Sequence, residues 1–320
     1  MSGFQTSVTV QPAIGVEGDF ASANPRFSVI AGAGAFVAGL AGVVIGRFCW
    51  SDPRNVDDVG GPANVNSFGA GPVLGFVHRE MQALITAYLQ ESSMVIPSGF
   101  GLTVHNGGDF LVKNRGTTAA QIGMKAYAAY ADGSISFAAT GSPTGGGTST
   151  TSTIAAGTNA LTGSIAGDVL TVTGGITGVL YNGTVLTGAG VIAGTSIVEQ
   201  LLPLQAGEAL RGIGRYALSV PDQTVASEAM TGTYGLLTIS GTVAGTYAVG
   251  QPVTGNGTSA GTVITDVGTG IGGAGTYIVN NTQTVGAGAL DTSINVETKW
   301  VAMSPGIAGD LIKISDHPLG

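Results

Sequence analysis

The chain has 320 residues, of which 55 are glycine and only 9% are charged, against about 25% charged in an average soluble protein. Eleven Lys+Arg face 19 Asp+Glu, a formal net charge of −8; no basic stripe exists, so no nucleic-acid partner is expected. Glycine without a three-residue period excludes collagen, a 43% hydrophobic content argues against disorder, and the single Cys49 excludes an internal disulfide or a Cys-based zinc site.

Residues 1–23 are polar and punctuated by Gly, Ala and Pro, which predicts an extended arm. Its first residues lack the basic and apolar regions of a signal peptide, so synthesis in a cytosol is expected. Asn24-Pro25 marks a turn. Residues 27–45 follow, 19 without charge, long enough to cross a bilayer and carrying Gly42 and Gly46 at GxxxG spacing. Gly32, Gly34, Gly39 and Gly42 dilute the stretch, and Arg26 and Arg47 flank both ends. It reads as two or three buried strands joined by glycine turns, with no membrane partner. A strand at 47–50 ends at Ser51-Asp52-Pro53, and 55–72 is loop-like.

Residues 82–90 fit helix or strand, with Leu84, Ile85, Tyr88 and Leu89 slightly favouring the helical period. Residues 93–96 lead to the turn Pro97-Ser98-Gly99. Residues 102–105, Asn106-Gly107 and 109–114 carry a strong hairpin signal. A second hairpin joins 125–131 to 135–138 through Asp132-Gly133.

At Thr140 the composition changes. Residues 141–158 are nearly pure Gly, Ser and Thr, the signature of a flexible linker. Then the chain repeats itself: residues 169–199 align without a gap on 236–266 at an offset of 67, with twelve of 31 pairs identical. The shared positions are turn glycines and β-branched runs, with no acid, base or metal ligand among them. A shared ending, Arg215-Tyr216 before Gln223 and Thr276-Tyr277 before Gln283, drops the offset to about 60. Two modules are expected, 159–226 and 227–291, each a small β unit copied for its backbone path. After Asp291 ordinary strands return at 296–303 and 310–314. The expected fold is all-β and mainly antiparallel: a barrel- or sandwich-like core domain from 1–140, completed by 292–320, with two repeated β modules inserted. Three domains in a row is the rival layout.

Chemistry is sparse. Gly257-Thr-Ser259-Ala-Gly261 matches the nucleophile elbow G-x-S-x-G, but a strand follows where a helix is needed, and the aligned residue of the first copy is Ile192. Gly268-Thr-Gly270-Ile-Gly272-Gly273 fits a dinucleotide fingerprint, again without the helix. His78, His105 and His317 are the only histidines. His78-Arg79-Glu80 suggests an acid/base cluster and His105 with Asp109 a dyad, yet structural roles are the better reading. Asp52, Asp57 and Asp58 lack the spacing of a calcium loop. Trp50 and Trp300 read as core or interface anchors. The module acids Asp168, Glu199, Glu208, Asp222, Glu228, Asp266 and Asp291 are scattered without pairing. No enzyme activity, catalytic residue, cofactor or metal is expected.

Several short runs resemble the capsid cement proteins of tailed bacteriophages, also called decoration or head-stabilising proteins. They are residues 3–12 and 18–26, Gly75-Phe-Val-His-Arg-Glu80, Met94-Val-Ile-Pro97, 108–114, Lys125-Ala-Tyr127 with Asp132-Gly133, and 298–300 through 309–314. The resemblance covers roughly 1–140 and 293–320. It implies a β-rich subunit, a homo-oligomer such as a dimer or trimer, that sits on the outer face of the virion capsid and bridges major capsid proteins. The arm 1–25 would grip the lattice, and the modules would project outward to touch host surfaces. A tail- or fibre-associated adhesion role is the alternative.

Overall fold

The computed structural model describes residues 14–31, 35–39, 41–51, 64–80, 94–142, 145–202, 204–220 and 222–317. The first 13 residues of the arm, the 82–90 segment, and Asp52, Asp57 and Asp58 lie outside them. Among the described residues every regular element is a strand, and no helix is long and apolar enough to cross a membrane. The fold is all-β, with one parallel pairing, Val37–Ala38 beside Asn64–Asn66, among antiparallel ladders. The apolar stretch at 27–45 yields three two-residue strands, Phe27–Ser28, Val37–Ala38 and Val43–Val44.

A six-stranded and a five-stranded sheet pack face to face. The six-stranded sheet buries both faces, because strand side chains alternate. Phe48, Trp50 and Phe76 point to the five-stranded sheet, while Cys49, Val77 and Val104 point to a second cluster with Phe36, Ile45 and Ile96. The five-stranded sheet draws on both ends of the chain: Asn295–Ala302 lies beside Lys125–Ala129, and Leu311–Ser315 beside Asp109–Lys113. Trp300 sits at the centre, 1% exposed, its indole N–H donating to the Gly108 carbonyl at 3.1 Å.

The Asn106-Gly107 hairpin does not form. Val104–Gly107 pairs with Gly75–Val77 and Phe27–Ser28, whereas Asp109–Lys113 belongs to the other sheet. Gly108 makes the corner at φ +125°, a conformation open to glycine. The Asp316 carboxylate accepts its N–H at 2.7 Å, so a sheet-to-sheet crossing replaces the tight turn. The Asp132-Gly133 hairpin forms as expected, with Ala128 opposite Ile135.

The Gly/Ser/Thr stretch is not a linker. Gly145–Gly167 is one 23-residue strand, paired along most of its length with the 22-residue Gln223–Ala244. It is itself a double unit. Its second half places Ile165 between Leu170 and Val225; its first half places Ile154 between Leu237 and Val285. These neighbours are the repeat equivalents, at offsets of 67 and 60. Thr151-Ser-Thr-Ile-Ala155 and Thr162-Gly-Ser-Ile-Ala166 carry that equivalence in the sequence.

The two copies are therefore nested, not tandem. The second copy contributes its first strand, the whole first copy follows, and the second copy then resumes at Leu236. Their cores match position for position: Ile165/Ile154, Leu170/Leu237, Val172/Ile239, Leu180/Tyr247, Leu186/Val253, Ile197/Ile264, Tyr216/Tyr277, Leu218/Val279, Val225/Val285 and Met230/Leu290. Polar anchors repeat too. Gln223 accepts from Ile192 N and donates to Thr195 Oγ1, both at 2.9 Å, as Gln283 accepts from Ser259 N at 2.9 Å and donates to Thr262 Oγ1 at 2.8 Å.

Candidate functional site

Two places gather side chains from distant parts of the chain. The first lies where the six-stranded sheet meets the N-terminal segment. Phe76 pairs with His105, which brings His78, just past that strand, beside His105 with ring centroids 5.1 Å apart. The Phe20 ring covers both, 4.1 Å from His78 and 5.6 Å from His105, held there by hydrogen bonding of Arg79 N to Gly18 O at 2.8 Å. Arg26 stacks over Phe20 at 3.7 Å.

His78 Nδ1 lies 3.4 Å from Glu80 Oε1, and one ligand atom each from His78, Glu80 and His105 falls within 4.8 Å of the others. His105 is 7% exposed and neither ring nitrogen has a hydrogen-bond partner among the described residues; His78 Nδ1 is likewise buried without one. Burial, and then the neighbouring His78, push His105 down to about 4; burial also lowers His78, against the pull of Glu80. Both shifts favour the neutral imidazoles.

His105 and Asp109 do not form the dyad that the sequence reading places below structural roles. Asp109 instead accepts from Ser22 Oγ at 2.5 Å and Asn24 Nδ2 at 2.6 Å, tying the N-terminal segment to the five-stranded sheet. Burial raises its pKa, but hydrogen bonds from Ser22, Ser315 and Asn24 outweigh burial and hold it below the ordinary value. A carboxylate depressed in the folded state stabilises the fold above its unfolded pKa, and that contribution is lost as pH falls through its folded pKa. Asp109→Asn is expected to cost about 1–2 kcal/mol at neutral pH, as for lost hydrogen bonds to a charged acceptor. The gap from wild type should close on acidification below the aspartate range. Urea titrations of both proteins across pH measure it; a gap independent of pH would refute the assignment.

The second place is a cavity of about 520 Å³ between the two copies and the body. Equivalent residues of both copies line it, Asn182/Val249, Gly183/Gly250, Ser196/Val263, Ile197/Ile264 and Val198/Thr265, together with Phe68, Gly69 and Tyr130 of the body. The copies lock beside it. Asp266 accepts from Asn182 N at 3.0 Å and from Arg211 at 2.6 Å. Its lining residues include no carboxylate, lysine, arginine or histidine.

The remaining sequence motifs fall on turns. Ser259 N is bound to Gln283, and the strand Ile264–Val267 follows, not a helix. The Gly268–Gly273 run wraps a tyrosine: Tyr277 OH accepts from Gly272 N at 2.9 Å and donates to Gly273 O at 2.8 Å. A Cβ on Gly270 would lie 2.2 Å from that ring. The glycines serve an internal packing contact and not a phosphate. Of the module acids, Asp266 and Glu208 are paired with Arg211 and Arg215.

Comparison with curated proteins gives no significant match. The family described as XM1 gp53 minor capsid protein matches residues 4–181, more than half of the chain. That span covers the N-terminal part of the two-sheet body and runs through the Gly145–Gly167 strand into the first copy. The chain belongs to this minor capsid protein family and is a structural, capsid-associated protein of a phage virion.

Proposed function

We propose that the chain cements or decorates the capsid, binding the outer surface of the major capsid protein lattice through its two-sheet body. In this reading the doubled module sheet projects as a lobe available for host-surface contact. One observation carries the proposal: the chain enters and leaves the module sheet at a single ladder pair, Gly145 opposite Ser293. A 10-stranded sheet is thereby joined through the chain to the body at one place and borders it again around Phe68, Gly69 and Tyr130, which leaves the remaining faces of the body free to grip.

The edge strand Phe27–Ser28 supports the same reading. Among the described residues it pairs on one side only, with Val104–Gly107, and its neighbourhood exposes Phe27 (58%) and Ile30 (91%). An unpaired edge with apolar side chains is a template for strand addition by a partner chain. Self-association into a dimer or trimer would multiply such contacts over the lattice, and binding that favours the mature shell stabilises it by mass action.

Particles with and without the protein test this. Head copy numbers that scale with the capsomers, and heads that break at lower temperature when the protein is missing, are the expected results. A copy number matching the tail would favour the tail- or fibre-associated alternative, and depleted heads of undiminished heat resistance would end the cement reading.

A further inference from the structure

We propose that His78, Glu80 and His105 bind one divalent ion of the zinc class, which bridges two neighbouring strands of the six-stranded sheet beneath the Phe20 ring. The donor set is two imidazoles and a carboxylate, the chemistry of zinc, cobalt and nickel and not of calcium or magnesium, which take oxygen ligands. The 3.4 Å between His78 Nδ1 and Glu80 Oε1 matches the separation of roughly 3.3 Å that two ligands at tetrahedral zinc distances must have. A ligand atom of His105 lies within 4.8 Å of both.

Burial supplies the second argument. His105 and His78 present nitrogens without hydrogen-bond partners among the described residues, in a ring-lined pocket, and unsatisfied buried polar atoms are uncommon because each is costly. A metal ion would take up one nitrogen of each ring. The local charges divide: Glu80 and Asp19 favour a cation beside His78, while Arg26 opposes it. Three protein ligands leave the fourth position to water. The site joins elements 27 residues apart in sequence (His78 to His105), and the Phe20 ring of the N-terminal segment packs on both imidazoles.

The test uses the full chain without an affinity tag, stripped with chelator and titrated with Co²⁺ and then Zn²⁺. The expected results are one cobalt per chain with visible d–d bands, displacement by zinc, and a melting temperature raised several degrees by Zn²⁺ and not by Mg²⁺. Because His105 lies in the core, Glu80→Gln and His78→Gln are the informative variants. Each should fold like wild type in chelator, judged by circular dichroism, and lose affinity by roughly tenfold or more. His317→Gln, altering the remaining histidine, should bind as wild type does. Absent bands with no thermal shift, unchanged titration of both ligand variants, or loss of binding in His317→Gln would each overturn the proposal.

Discussion

Replacing residues 146–292 with a short turn is expected to leave a folded body, whereas deleting 159–291 is expected to leave an aggregating one. The sequence repeat alone points to the second cut as the clean removal of both modules. The strand ladder points to the first. Gly145 and Ser293 are already opposite each other, so a turn between them closes a loop of minimal entropy cost and leaves both body sheets with all their strands. The second cut instead strands 145–158, which keeps its Gly/Ser/Thr backbone but loses Gln223–Ala244 on one side and Val285–Ser293 on the other. A strand with two unpaired edges recruits other chains. Size-exclusion chromatography and tryptophan emission distinguish the outcomes, since Trp50 and Trp300, the two tryptophans, both lie in the body core. A soluble second deletion beside an unfolded first would refute the nested arrangement.

Much of this architecture was legible in the sequence. The 67-residue offset marks the copies because their turns need glycine and their cores need β-branched or aromatic side chains at fixed steps. The return of charged strands after Asp291 marks the body's completion. The Gly/Ser/Thr strand was not legible, because its side chains are small. Where two copies pack on both edges, backbone hydrogen bonds and Thr residues do the holding, and composition then resembles a linker. Its faint signal was the eleven-residue spacing of Ile154 and Ile165, each followed by alanine. The histidine cluster was half legible: His78 and Glu80 are adjacent, but His105 joins them only through the Phe76–His105 register, a non-local fact. The missed corner at Gly108 has the same origin. Asn-Gly favours a hairpin locally, and the partner strands on either side, drawn from residues 75–77 and 311–315, overrule it.

Trp300→Ala is expected to unfold the body while sparing the module sheet. The indole is 1% exposed, its centroid lies 5.1 Å from Phe48, and its N–H satisfies the Gly108 carbonyl at the sheet-to-sheet corner. Truncating a buried Trp costs about 3–5 kcal/mol, a large part of the 5–15 kcal/mol by which a domain is typically stable. The module sheet has two cores of its own, around Leu170 and Leu237, in which no body residue takes part. Scanning calorimetry should therefore show one transition moved far down and another nearly unmoved, with hydrogen exchange assigning the first to 109–138 and 295–315. Leu237→Ala should do the reverse, lowering the module transition by about 2–5 kcal/mol. If either substitution shifts both transitions equally, body and modules unfold as one cooperative unit. Under the proposed decorating role, a lobe that unfolds independently would take strain from outside contacts without loosening the grip of the body on the shell.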